Sequence, residues 1–597
     1  MCRIAGIYNP NEKNLAARMV HMRDAMQHGG PDDAGLFVHE QLPLALGHRR
    51  LSLIDLSPAG HQPMHYAEKG LTIVFNGEIY NFREIRNTLH HYGYRFVSES
   101  DTEVLLKAYA HWGVAAFSYC NGMFALAIWD EPRQQLILAR DHAGIKPLYY
   151  KLGTDHLIFA SEIRAFAAAG IPLAENPEWK AAFLAFGHLP EPVTTLHNVV
   201  PLEKGTALVI QLPSLESKKH NFFTWRFTGA LQFEEDALPL LYTTLTEAVK
   251  RHLIADAPIG VFLSGGIDSS LLSILAAKTH QKQLHTLSII FQEKRFSEET
   301  YQQHVVALIR SQHQPYLVTK KDFNAALPDA LLAMDQPSLD GINTYFISKY
   351  ARAYGLKAVL SGLGADELFG GYPSFRQQNK MRLLRLVPRP LLQTLQYLPD
   401  QRLGKLSYGN ARHAVHEYLL LRGIFTPRAI AEQLDATEQE VQHLLAAISS
   451  RYTVNGFEGG NRISWLETNF YMQNQLLKDA DYMSMWHGLE LRVPFLDKEV
   501  MQLAGEIAPG LKFNHSLPKY LLVQAFRNEL PEAVWNRKKQ GFTFPFEGWL
   551  KENEFVEPAN AAESRLYNRF REGKLSWGRY WCALLMNRFQ QKQAVAA

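Results

Sequence analysis

Two architectures are predicted in succession along the chain: an α+β part with packed sheets from residue 2 to about 210, then a parallel sheet with helices on both faces from about 235 to 597. Three observations predict them. The first part is a series of short β-branched or aromatic runs separated by Gly, Pro, Asn and Asp; the second alternates single strands with helical stretches. The 597 residues, 47% hydrophobic and 20% charged, supply apolar material for two large cores.

In the first part RIAGIY, GLFVHE, LTIVF, MFALAIWD, QLILAR and HLIFA read as strands. LAARMVHMRDAMQ and DTEVLLKAYAHWG carry apolar residues at three-to-four spacing and read as helices, the second opened by Ser100 or Asp101 as N-cap. A polar stretch, 214 to 236, separates the two parts. Beyond it the order is APIGVFLS, DSSLLSILAAKTH, LHTLSIIF, SEETYQQHVVALIR and GLKAVLSG, the strand–helix alternation of a parallel sheet. Residues 376 to about 465 read as added helices. Their start interleaves Arg376, Lys380, Arg382, Arg385 and Arg389 with Met381, Leu383, Leu384 and Leu386, a solvated amphipathic face with few aromatics to stack bases.

Composition excludes several functions. With 62 Lys plus Arg against 59 Asp plus Glu, bulk charge gives no reason to expect a nucleic-acid partner. Apolar runs such as LTIVF and MFALAIW fall far short of the ~20 residues of a membrane span, so no membrane partner is expected. The three cysteines, Cys2, Cys120 and Cys582, form no CxxC pair and no disulfide framework; Cys120 and Cys582 read as buried thiols. MCRIAGIYNPNE carries no signal-peptide pattern, and the expected location is the cytoplasm.

Cys2 follows Met1, whose removal would leave a thiol and an α-amino group on one residue. An α-amino group with a pKa of about 7.7 to 8.0 accepts a thiol proton near neutrality, so nucleophile and base come together without a histidine. LTIVF ends in Asn76, Gly77 and Glu78: a side-chain amide and an unhindered backbone N–H are oxyanion donors, with an anion beside them. Arg50 in GHRRLSLID offers a fork to a carboxylate, and Asp101 in SESD a partner to an ammonium. Such a set suits hydrolysis of the side-chain amide of a free amino acid, most economically glutamine.

Further on, GVFLSGGIDSSLL is a strand, a tight loop and a helix start. The backbone and hydroxyls of that loop can cradle phosphate. It lacks the GK[ST] ending of a γ-phosphate loop; Asp268 instead suits Mg²⁺ held against a pyrophosphate. A second loop, LSGLGADELFGGY, follows the strand GLKAVL, with Ser361 and Gly362 near the nucleotide and Asp366 as a second carboxylate for magnesium.

These segments, with HGGPDD, ARDHAGIKPLYY, DQPSLDGINTYFIS, DYMSMWHGLELRVPFLD, Lys519 in PKYLL and RKKQGF, resemble the glutamine-hydrolysing asparagine synthetase family over most of the chain outside about 376 to 460. The resemblance implies an N-terminal nucleophile αββα glutaminase sandwich over 2–210 and an ATP-pyrophosphatase domain over 235–597. By it Cys2 attacks the glutamine carboxamide, Asn76 and Gly77 form the oxyanion hole, and Arg50, Glu78 and Asp101 join them in holding glutamine. ATP falls to Leu263, Ser264, Gly265, Gly266, Asp268, Ser269, Ser270, Ile289, Ser361 and Gly362, with Mg²⁺ on Asp268 and Asp366. Lys539 stabilises charge at the acyl phosphate. A homodimer is compatible with this reading.

Two departures stand out. The family often reads HRGPD where this chain has Gly29 after His28, and SGEGxDE where this chain has Leu363 in place of the glutamate tied to β-aspartyl adenylate. The expected activity is glutamine-dependent, ATP-consuming amidation of a carboxylate, aspartate first; Leu363 motivates another acceptor, such as a uronic acid of a surface polysaccharide or a secondary metabolite. A plain glutaminase with a regulatory nucleotide module, and a scaffold protein, are the competing readings.

Overall fold

The strand Cys2–Tyr8 is buried throughout and lies inside a six-stranded antiparallel sheet, between Leu157–Ala160 and Leu44–Arg50. A second antiparallel sheet of six strands has Leu71–Ile79 paired with Gly122–Asp130. This computed structural model describes residues 2–596 apart from 171, 281–282, 378–380, 382, 385, 398–400, 410–412, 453–456, 458, 538–543 and 552–560.

Side chains alternate across a strand, and here both faces of both sheets are covered. Ile4, Leu46 and Phe159 face Val74, Trp129 and Leu138 between the sheets. Their neighbours Ala5, Ile7 and Ala45 pack outward on Met19 and Met22 of helix Leu15–Asp24. On the other side Ile73 and Phe75 meet Leu89 of helix Phe82–His91 and Val104 of helix Asp101–Trp112. The result is the expected αββα sandwich, and two covered faces explain why its strands read as continuous apolar runs. Ser100, not Asp101, caps the Asp101–Trp112 helix, accepting from the Thr102 N–H.

The second sheet system is parallel, in the order Gln312–Val318, His285–Phe291, Ile259–Phe262, Ala358–Leu360, Glu490–Arg492. Its outer two strands were not among the expected ones. Gln312–Val318 contains Pro315, which an edge strand tolerates; Glu490–Arg492 is three residues long and charged at both ends.

Two expectations change. The polar stretch after residue 214 is not all connector, since Ser217–Asn221 pairs with Thr206–Gln211 as a lysine-bearing edge strand. Asn76 and Gly77 do not end their strand, which runs on to Ile79 against Gly122. Among the described residues the segment after 376 is a set of short helices, Arg389–Thr394, Ala414–Arg422, Pro427–Leu434 and Glu438–Ser450, the last two capped by Thr426 and Thr437.

The halves share a core. Leu51, Leu53 and Met123 of the first, and Trp179 and Phe183 of helix Trp179–Phe186, belong to the same apolar cluster as Leu263, Val359 and Leu489. Buried ions cross the same boundary: Asp481 takes Arg3 Nη1 at 2.7 Å and Lys146 Nζ at 2.9 Å. Gly29 has its reason here, since a Cβ at that position would lie 2.8 Å from Cγ of Arg3, which is also bound to Glu162 at 2.6 Å. Among the described residues no helix is long and apolar enough to cross a membrane.

Candidate active site

Cys2 and Arg50 are directly paired neighbours across two strands. Together with Gly77, Glu78, Asp101 and Thr102 they line one narrow recess. Asn76 stands beside it with its Oδ1 accepting from the Cys2 backbone N–H at 3.2 Å and its amide nitrogen buried without a partner. An unsatisfied buried donor next to a nucleophile is what a developing oxyanion requires. Gly77 is required sterically, since a Cβ would come 2.2 Å from the Met123 carbonyl oxygen of the paired strand.

Burial pushes the Cys2 thiol above its ordinary range. Arg50 is held from behind, its Nη1 donating to the Ser57 carbonyl at 3.0 Å and its Nη2 to that of Asp55. Gly60 permits this, because a side chain there would strike the guanidinium. Burial raises Asp101 to about 6, although its Oδ2 accepts from the Ile79 N–H at 2.9 Å. Glu78 is raised well above the usual carboxylate range by burial, and its Oε2 has no partner. Two buried carboxyls short of counter-charge, opposite a fixed guanidinium, form a zwitterion-shaped recess.

Glu78 is paired with Arg492, which reaches it at 3.3 Å from the other half of the chain. Arg492 donates Nη1 to the carbonyls of His252 at 2.8 Å and Ile254 at 2.6 Å, and Nε to Glu490. Its own carbonyl accepts from the Ser361 N–H at 2.8 Å, at the start of the second phosphate-type loop. Sequence reasoning missed this residue. The signal was a charge between Leu491 and Val493 in an apolar stretch, where an arginine has to be paired.

The first loop follows strand Ile259–Phe262 and leads into helix Ile267–Thr279, as expected. The Ser264 N–H donates to Ser269 Oγ at 3.1 Å, Gly265 adopts φ +79, and Ser270 Oγ is buried without a partner. Gly266 is the helix N-cap residue. Leu263, just past the strand with its N–H donating to the Leu287 carbonyl at 2.8 Å, and Ile289 on the adjacent strand are both buried. The second loop presses onto the first at Gly362, where a Cβ would come 2.8 Å from Asp268 Cβ.

Lys519 joins the two: its Nζ is bound by Asp268 and, at 2.5 Å, by Asp366. It adopts φ +55, a left-handed conformation uncommon for a non-glycine residue and typical of functional sites. A cation already sits between these two carboxylates, and Mg²⁺ is commonly held by one or two carboxylates plus substrate phosphates, so Asp268 and Asp366 fit that ion. Arg537, the second residue missed, donates to the Gly265 carbonyl at 3.0 Å and to Glu298 at 2.6 Å. Lys539 lies outside the described residues. Leu363 is half-buried against the core. Four residues on, Glu367 is buried, raised to about 7 by burial, and accepts from Tyr372 Oη at 2.7 Å.

The sequence matches the family described as asparagine synthase over residues 240–571, and the glutamine amidotransferase domain over 1–222. The chain belongs to the asparagine synthase family. It is 33% identical over 574 residues to asparagine synthetase (glutamine-hydrolyzing) 1 of Bacillus subtilis (strain 168), covering 93% of this chain and 89% of that one. Amidase chry2 of Gibberella zeae is 28% identical, over 93% of this chain and 90% of its own. Among solved structures, glutamine phosphoribosylpyrophosphate amidotransferase from B. subtilis has TM-score 0.29 and 15% identity, covering 53% of this chain and 81% of that one. As an asparagine synthase family member the chain is a carbon–nitrogen ligase enzyme, with glutamine and ATP as small-molecule substrates.

Proposed function

We propose that the chain hydrolyses glutamine at Cys2 and uses the ammonia to amidate a carboxylate activated by ATP, with aspartate as the first acceptor. With Met1 removed, the Cys2 α-amine takes the thiol proton and the sulfur attacks the glutamine carboxamide. Asn76 Oδ1 orients that amine, while the Asn76 amide and Gly77 N–H receive the oxyanion. Arg50 takes the α-carboxylate, and Glu78 and Asp101 the α-ammonium. A thioester forms, ammonia leaves, and water releases glutamate.

In the second half, the loops carrying Ser264, Gly265, Gly266, Ser269, Ser270, Ser361 and Gly362 hold ATP between Leu263 and Ile289. Mg²⁺ on Asp268 and Asp366 would neutralise charge on the leaving pyrophosphate. The acceptor carboxylate displaces pyrophosphate from the α-phosphorus, giving an acyl adenylate. Ammonia then attacks the acyl carbon, AMP leaves, and Lys539 is assigned to the charge that develops there. The observation that carries this reading over a plain glutaminase is Arg492, whose side chain contacts Glu78 in one recess and whose carbonyl holds Ser361 of the other.

A second acceptor reading rests on Leu363. A leucine packed on the core offers neither proton acceptor nor ammonium ligand, and the relative named amidase chry2 carries a different activity name from the synthetases. Under it the acceptor is another carboxylic acid. ATP–pyrophosphate exchange over a panel of acids decides between the two: exchange with aspartate alone removes the second reading, and exchange with none, alongside intact glutamine hydrolysis, removes both.

A further inference from the structure

The basic, Met- and Leu-rich stretch after residue 376 has no part in either site, yet it forms one wall of a cavity of about 420 Å³. That volume falls within the range of small-molecule sites. Met381 and Leu384 line it from this stretch, Leu420 and Ile424 from the end of helix Ala414–Arg422 and the turn after it. Into this apolar space come two cations, Lys405 and Arg579. Arg579 is held by its Nε, which donates to the Ile424 carbonyl at 2.8 Å. Among the described residues no carboxylate is paired with either; Glu467 is taken by Arg422 at 2.5 Å, and Arg422 does not line the cavity. Burial and the neighbouring Arg579 charge lower Lys405 to about 8.

Two cations in an apolar wall without an anion are a costly arrangement that a bound anion relieves. The apolar residues beside them call for a hydrocarbon body on the same molecule. We propose that this cavity is a binding site for an amphipathic organic anion, its carboxylate or phosphate head between Lys405 and Arg579 and its apolar chain along Met381, Leu384, Leu420 and Ile424. This site is separate from the glutamine recess and shares no residue with the two phosphate-type loops.

The test is calorimetric titration of the full-length protein with octanoate and with octyl phosphate, using 1-octanol and inorganic phosphate as controls. At least one amphiphile binds saturably and more weakly as salt is raised, while both controls bind at least tenfold more weakly; the tighter head group identifies the ligand's source, carboxylate or phosphate ester. Lys405→Gln weakens binding about tenfold, the scale of one charge-assisted contact, and leaves glutamine hydrolysis unchanged. Arg579→Gln acts in the same direction, but it also removes the anchor to Ile424, so Lys405→Gln is the deciding variant. The proposal is overturned by any of three results: neither amphiphile binds, octanol binds as well as the anions, or Lys405→Gln binds like the parent protein.

Discussion

Lowering the pH should disable glutamine use before it disables amidation. Asp101 is buried, and burial moves it from the ordinary 3.8 to about 6, with the Glu490 charge adding to the effect and the Ile79 and Thr102 backbone N–H groups opposing it. Its folded form therefore binds a proton more tightly than its unfolded form. That contribution to stability is fully present below about 4, is lost as pH rises through about 6, and amounts to about 3 kcal/mol. Above pH 6 the recess holds a poorly compensated carboxylate, and the α-ammonium of glutamine supplies the missing charge. Below it, binding must first remove a proton, so kcat/KM for glutamine, already falling about tenfold per pH unit as the Cys2 α-amine protonates, falls about a further tenfold per unit, and more steeply where Glu78, also raised, joins. Ammonia-dependent synthesis does not pass through the recess. The assay is the ratio of glutamine-dependent to ammonia-dependent product formation from pH 7.5 to 5, with free NH3 held constant across the series, repeated with Asp101→Asn. At neutral pH the variant should lose roughly 10- to 150-fold in kcat/KM, equivalent to a charged hydrogen bond of about 1.5–3 kcal/mol, and its acid limb should lose the extra steepness below about pH 6 while keeping the slope of the α-amine. A ratio that stays constant to pH 5, or an acid limb unchanged in Asp101→Asn, would refute the ammonium-clamp assignment.

Four further outcomes are expected. Cys2→Ala abolishes glutamine hydrolysis and keeps ammonia-dependent amidation, measured by AMP release with each nitrogen source. Arg492→Met removes the buried Arg492–Glu490 and Arg492–Glu78 ion pairs and the Arg492 bonds to two carbonyls, and lowers unfolding stability by about 3–5 kcal/mol in urea titration. Asp268→Asn or Asp366→Asn raises the magnesium concentration needed for half-maximal ATP–pyrophosphate exchange about tenfold, with glutamine hydrolysis unaffected. Leu363→Glu, read by the same exchange assay, raises the aspartate-dependent rate if aspartate is not the native acceptor and leaves it level if it is.

Much of the glutamine recess was legible because its residues lie in short local runs. Cys2, Arg50, Asn76, Gly77, Glu78 and Asp101 each stand at the end or on the face of a strand or helix that periodicity reveals, and strand pairing brings Cys2 opposite Arg50. The two phosphate-type loops were legible for the same reason, a strand followed by a Gly-Ser turn. What stayed hidden depends on contacts far apart in sequence. Arg492 meets Glu78, Arg537 the Gly265 carbonyl and Lys519 Asp268, each partner more than 200 residues away, and nothing local marks those pairings. The strand Gln312–Val318 was obscured by Pro315, and Ser217–Asn221 by lysines that suit an exposed edge. Leu363 was visible as a departure, but its packing against the core required the fold.

The ions at the boundary bear on how far the chain can be cut. Asp481 answers both Arg3, one residue from the nucleophile, and Lys146, and all three are almost wholly buried. A fragment ending near residue 222 would keep both cations but lose the carboxylate they share, leaving Arg3 to Glu162 alone and Lys146 without Asp481, along with the apolar partners of Leu51, Leu53 and Trp179. The glutamine-hydrolysing half is therefore not a detachable module: grafting it onto another ligase would require rewriting its first strand, and natural exchange of halves between relatives faces the same barrier.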